Sequence, residues 1–126
     1  MPATILIVDD ESRVTDIMHD ILESRGYRIL TATSPPRALA LLSEESRTVD
    51  LLLTDVVMHE MPGTELARLV QQRWPACQVI LMSGYFPEDL AARGLPPHSV
   101  VLDKPIPIAT LLEAVSIALA KVAGGT

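Results

Sequence analysis

The stretch Thr4-Ile5-Leu6-Ile7-Val8-Asp9-Asp10 decides the fold. Its unbroken apolar run fits a strand buried on both faces, which is the habit of parallel sheets. The run stops at two adjacent carboxylates. Val49-Asp50-Leu51-Leu52-Leu53-Thr54-Asp55 repeats the design and ends on another acid. Parallel strands of one sense end on one edge of a sheet, so Asp9, Asp10 and Asp55 should converge there. Carboxylates that crowd raise one another's pKa values unless a cation neutralises them. A hard divalent ion, Mg²⁺ above all, would relieve the crowding and points to phosphate chemistry.

Outward from these runs, apolar segments alternate with amphipathic ones. Five strands are predicted at Thr4–Val8, Arg28–Thr31, Leu51–Thr54, Gln78–Met82 and Ser99–Leu102. Between the first two, Val14, Ile17, Met18, Ile21 and Leu22 form a helical stripe, with Ser12 as its N-cap and Gly26 as its stop. Ser34 caps a second helix that has Pro35 and Pro36 in its first turn. Gly63 and Thr64 open a third, which Pro75 closes; Pro87 to Gly94 gives a short fourth. Pro107 opens the last, with Leu111, Leu112, Val115, Ala118, Leu119 and Val122 on one stripe and a frayed end at Gly124 to Thr126. The order is (βα)5, an α/β doubly wound parallel sheet with right-handed crossovers.

At 126 residues and 48% hydrophobic, the chain makes one globular domain over residues 1–126. A net charge of −6 argues against a nucleic-acid-binding surface. Cys77 is the single cysteine and cannot form an internal disulfide, which fits a reducing cytoplasm. No apolar run approaches the ~18 residues of a membrane span. No basic segment precedes an apolar one at the N-terminus, so no signal peptide is read.

The residues just past the strands are Asp9 and Asp10, Asp55, Ser83 with Gly84, and Asp103 with Lys104 and Pro105. His19, His59 and His98 have no ligand spacing to one another, so a histidine-based zinc site is not read. His19 lies off the apolar stripe and should face solvent. Cys77 should pack near the start of the fourth strand, and Met18, Met58, Met61 and Met82 read as packing. A P-loop and a GxSxG nucleophile elbow are both absent from the sequence.

In order and at the right strand ends, Asp9-Asp10, Thr54-Asp55-Val56-Val57-Met58, Met61 with Gly63, Met82-Ser83-Gly84 and Lys104-Pro105 resemble the receiver domain of two-component response regulators. The resemblance runs from Ile5 to about Ala120. It implies a flavodoxin-like sheet of order 2-1-3-4-5. It implies that Asp55 accepts a phosphoryl group as an acyl phosphate. Asp10, Asp55 and the Val57 backbone carbonyl would bind Mg²⁺ directly, and Asp9 mostly through water. Lys104 and Ser83 would contact the phosphoryl oxygens, with the Lys104–Pro105 peptide cis. Such a domain catalyses only its own phosphorylation and dephosphorylation. Its partner would be a histidine kinase or a histidine phosphotransfer protein, docking near Thr15, Met18 and Leu22 and at Pro105 to Pro107. The Met82-Ser83-Gly84-Tyr85 segment is similar to receivers of hybrid sensor kinases, and the chain could equally be a stand-alone receiver.

Three departures from the family matter. His59 stands where proline usually follows the methionine. Val101 stands at the aromatic switch position of strand five. Val57 and Tyr85 occupy positions that tune acyl-phosphate lifetime, and Val57 offers no polar group to orient water, which implies a longer-lived phosphate. Val101 and His59 motivate an alternative: a phosphorylation-independent interaction module with a vestigial pocket. Retention of Asp9, Asp10, Asp55, Ser83 and Lys104 argues against it. An aspartyl phosphatase would show an Asp-x-Asp motif and a cap insertion, and this sequence has neither.

Overall fold

The computed structural model describes residues 2–84 and 94–124, with side-chain surroundings as far as residue 122. Five strands, β1 Thr4–Val8, β2 Arg28–Ala32, β3 Leu51–Asp55, β4 Gln78–Ser83 and β5 Ser99–Asp103, alternate with α1 Ser12–Glu23, α2 Pro35–Glu44, α3 Gly63–Arg73 and α4 Ile108–Gly124. The predicted helix from Pro87 to Gly94 lies outside the described residues, apart from Gly94 itself.

All pairings are parallel and the order is β2-β1-β3-β4-β5. The chain turns one way from β1 to β2 and then crosses back past β1 to β3. That reversal leaves a crevice at the carboxyl ends of β1 and β3, where doubly wound sheets bind ligands. Alternating side chains build two cores. Leu6, Val8, Leu52, Val79 and Leu81 face Ala38 and Leu42 of α2 and Leu66, Ala67 and Val70 of α3. Ile5, Ile7, Leu51, Leu53, Ile80 and Met82 face Leu22 of α1 and Leu111, Val115 and Ala118 of α4. Each fully buried aliphatic side chain contributes about 1.5–3 kcal/mol, so the apolar runs hold the strand ends in place.

The helix ends follow local chemistry. Ser34 Oγ accepts from the Arg37 amide at 3.2 Å, with prolines in the first turn of α2. Gly26, at φ +90°, supplies the left-handed residue that ends α1. Ser12 is not the cap of α1. Glu11 takes the N-cap position without a side-chain cap bond, and Ser12 is already helical.

The apolar stripe of α1 also needs correction. Ile17 is exposed, while Thr15 and Leu22 are buried and Met18 is half-buried. Residues 15, 18 and 22 share one face at helical spacing. That face lies on the sheet, so Thr15 and Leu22 are core positions and not a docking surface.

Beyond the helices, Cys77, Met58 and Met82 are buried, and Met61 and Met18 pack at the core edges. Val101 is half-buried against the α2–α3 side of the sheet. Among the described residues, no helix is long and apolar enough to cross a membrane.

Candidate functional site

Asp9 follows β1 directly and is 1% exposed. Its Oδ1 accepts the Glu11 amide at 2.9 Å, so Asp9 satisfies a donor left over at the start of α1. Its Oδ2 is buried with no hydrogen-bond partner among the described residues. A lone buried carboxylate oxygen is costly and calls for a cation or an ordered water. Burial foremost pushes the Asp9 carboxyl above its ordinary value; the Glu11 amide and Lys104 oppose this, and the charges of Asp55 and Asp10 add to it.

Asp10 is the next residue and is partly open to solvent. Asp55 closes β3, one register step past the pairing of Val8 with Thr54. One carboxylate oxygen from each of Asp9, Asp10 and Asp55 lies within 4.8 Å of the other two. Carboxylate oxygens so spaced could hold a hard divalent ion, and the Asp9 oxygen without a hydrogen bond fits such a role.

Lys104 enters from the far side. Its Nζ stands 3.0 Å from Asp55 Oδ2 and 3.9 Å from Asp9 Oδ2. The Lys104–Pro105 peptide is cis, and the Lys104 amide donates to the Ser83 carbonyl at 2.8 Å. Ser83 is buried at the end of β4, in register with Asp103 of β5. Asp103 itself is exposed. The loop after Asp55 is fixed by the Val56 amide on the Met82 carbonyl at 3.1 Å and the Gly63 amide on the Val56 carbonyl at 2.8 Å. Val57 sits in that loop with an exposed side chain. A Cβ on Gly63 would collide with the Asp55 carbonyl oxygen, so the close approach of α3 to the acid requires glycine.

The sequence-predicted residues Asp9, Asp10, Asp55 and Lys104 therefore meet at one point, with Ser83 bonded through its backbone to Lys104. Tyr85 lies outside the described residues. His59 was not foreseen as part of the site, yet its Nε2 is 3.7 Å from Asp10 Oδ2. Its replacement of the family's proline was the available signal. His19 is half-buried rather than fully solvent-facing, between Asp20 at 3.1 Å and Glu23 at 3.4 Å. Beside Lys104, a groove of about 450 Å³ is lined by Glu11, Val14, Met18, Met82, Pro105 and Ile106.

Three acids that could hold a metal ion and a lysine thus meet at the switch point of a 2-1-3-4-5 sheet. The chain belongs to the response regulator receiver domain family, whose sequence model matches residues 5–116. It is a receiver domain of two-component signalling. It is 38% identical over 121 residues to the sensor kinase CckA of Brucella abortus, covering 94% of this chain and 13% of that protein. It is 34% identical over 127 residues to the transcriptional regulatory protein GlrR of Escherichia coli, covering 99% of this chain and 28% of that protein. The chain thus spans less than a third of the length of these relatives. Among solved structures, it superposes on a CheY-like receiver domain protein of Methanospirillum hungatei with a TM-score of 0.86 at 27% identity, covering 100% of both chains. On the receiver domain of the hybrid histidine kinase CckA the TM-score is 0.80 at 32% identity, covering 93% of this chain and 99% of that one.

Proposed function

We propose that Asp55 is a phosphoacceptor, charged by a phosphohistidine of a partner histidine kinase or histidine phosphotransfer protein. The observation that carries this reading is the placement of Asp55 between Lys104, at 3.0 Å, and the Asp9–Asp10 pair. An Asp55 carboxylate oxygen attacks phosphorus and forms the acyl phosphate, while the phosphorus–nitrogen bond to the donor histidine breaks. The donor imidazole leaves with the electron pair of that bond. Such transfer depends on positioning and charge neutralisation.

Each residue has a part in that balance. Lys104 holds a phosphoryl oxygen as a point charge. The Ser83 hydroxyl donates to a second oxygen. Asp9, Asp10, Asp55 and the Val57 carbonyl would hold Mg²⁺, which supplies neutralising charge to the transferred group. The domain turns over no separate substrate; it catalyses its own phosphorylation and dephosphorylation. We place it in the cytoplasm, where kinases of this class keep their phosphohistidines, as one receiver unit spanning residues 1–126.

The half-buried Val101 favours a specific refinement: phosphorylation is read out without a rotating ring on β5. The docking groove beside Met18 and Pro105 is where the partner's donor helix would lie, in place of the buried Thr15 and Leu22. The test is transfer of radiolabelled phosphate from a phosphorylated histidine kinase to this chain. Label that is released by hydroxylamine and absent in Asp55→Asn supports an acyl phosphate on Asp55. Label retained in Asp55→Asn contradicts it.

A further inference from the structure

His59 stands at the edge of the acid cluster, beside Asp10 but outside the set of mutually close donors, and has no part in the phosphoacceptor reading. Its Nε2 stands 3.7 Å from Asp10 Oδ2, beyond hydrogen-bond length. Its side chain is 89% exposed, so the ring is free to swing. Its backbone is held, because Met58 is buried on one side and the Gly63 amide is bonded to Val56 on the other. Two donors on one ion at about 2.1 Å are separated by roughly 3 to 4 Å. The spacing to Asp10 falls in that range, and a swing of the free ring would bring its nitrogen to an ion held by the three acids.

We propose that His59 is a fourth side-chain donor to the ion held by Asp9, Asp10 and Asp55, and that it biases the centre toward first-row transition ions over Mg²⁺. The inference rests on the metal reading of the acid cluster given above. A second observation points to a ligand at the same place: Asp9 is 1% exposed, and its Oδ2, 3.9 Å from Lys104 Nζ, has no hydrogen-bond partner among the described residues. Mg²⁺ prefers oxygen and keeps its waters, so an imidazole gains it little. Transition ions accept imidazole readily. A His59 ring that displaces one water would thus separate the two ion classes at a site whose acids alone bind both.

The probe is Cu²⁺, an ion that favours imidazole, studied by pulsed electron paramagnetic resonance and by calorimetry beside Mg²⁺. The expected result is a ¹⁴N coupling from a directly bound imidazole, lost in His59→Gln and kept in His19→Gln. His19 is the control because Asp20 and Glu23 flank it. Calorimetry should show about a tenfold loss of Cu²⁺ affinity in His59→Gln with Mg²⁺ affinity changed less than about twofold. Cu²⁺ binding that Asp10→Asn abolishes, but with no ¹⁴N coupling or with coupling that survives His59→Gln, overturns the role of His59 and leaves the acid site standing. Absence of any Asp10-dependent Cu²⁺ or Mg²⁺ binding overturns both.

Discussion

Lys104 Nζ lies 3.0 Å from Asp55 Oδ2 and 3.9 Å from Asp9 Oδ2, so one ammonium bridges the ends of β1 and β3. The lysine is 39% exposed, and solvent screens the pair. Lys104→Met should therefore cost the metal-free protein no more than about 1 kcal/mol in urea denaturation. Phosphoryl uptake should fall far more, by at least about tenfold, because the ammonium acts on charge that develops during transfer. Uptake at the wild-type rate would remove Lys104 from the mechanism.

Asp9 should be a stability liability without metal. Its carboxyl is raised by burial above the ordinary value of 3.8, so the folded chain holds that proton more tightly than the unfolded chain does. The stability linked to this proton is fully present below the ordinary value and is lost as pH rises through the raised folded value. At neutral pH without divalent ions, Asp9→Asn should be more stable than wild type, because the variant no longer carries a buried charge. Added Mg²⁺ should raise the melting temperature of wild type and not of Asp9→Asn. Thermal melts at two pH values, with and without Mg²⁺, decide this. A destabilised Asn variant would mean that the charge of Asp9 is satisfied by the protein alone.

Gly63→Ala should damage both fold and site. The added methyl meets the Asp55 carbonyl oxygen, which is backbone and cannot swing away. Overpacking of this kind costs about 1–3 kcal/mol. The displaced β3 end should also lower Mg²⁺ affinity, measured by calorimetry on the folded variant. An alanine variant with native stability and affinity would show that α3 has room to move.

The boundaries of this fold were legible because β1, β3 and β4 are apolar throughout and end in polar residues. The observed strands β2 to β5 run one residue further than predicted, since the ladder continues through the pairs Asp55–Met82 and Ser83–Asp103. Propensity cannot see that, because hydrogen-bond register keeps a polar residue in a strand that its side chain would end. Ser12 lost the N-cap because the helix starts one residue earlier, with the Val14 and Thr15 amides both donating to the Glu11 carbonyl. Ile17 fits the apolar period but falls outside the arc centred on Thr15, Met18 and Leu22. His59 was hidden for a different reason. Its neighbour Asp10 is distant in sequence, and only the parallel pairing of β1 with β3 brings their loops together.

Cys77 should be inert in the native state. Burial, with a smaller push from Asp50, raises its thiol to about 12. Alkylation by iodoacetamide at neutral pH should be absent from the folded chain and complete in denaturant, since the thiolate is the reactive form. Rapid native labelling would mean that the start of β4 opens readily.

The central claim is that Asp55 takes up phosphate with the help of an ion held by its acidic neighbours. Intact-mass analysis after incubation with acetyl phosphate, with and without Mg²⁺, tests it most directly. Addition of a single phosphoryl group to wild type only when Mg²⁺ is present, and none to Asp55→Asn or Asp10→Asn, is the predicted result. An adduct of equal yield on Asp55→Asn, or one indifferent to Mg²⁺, would contradict it.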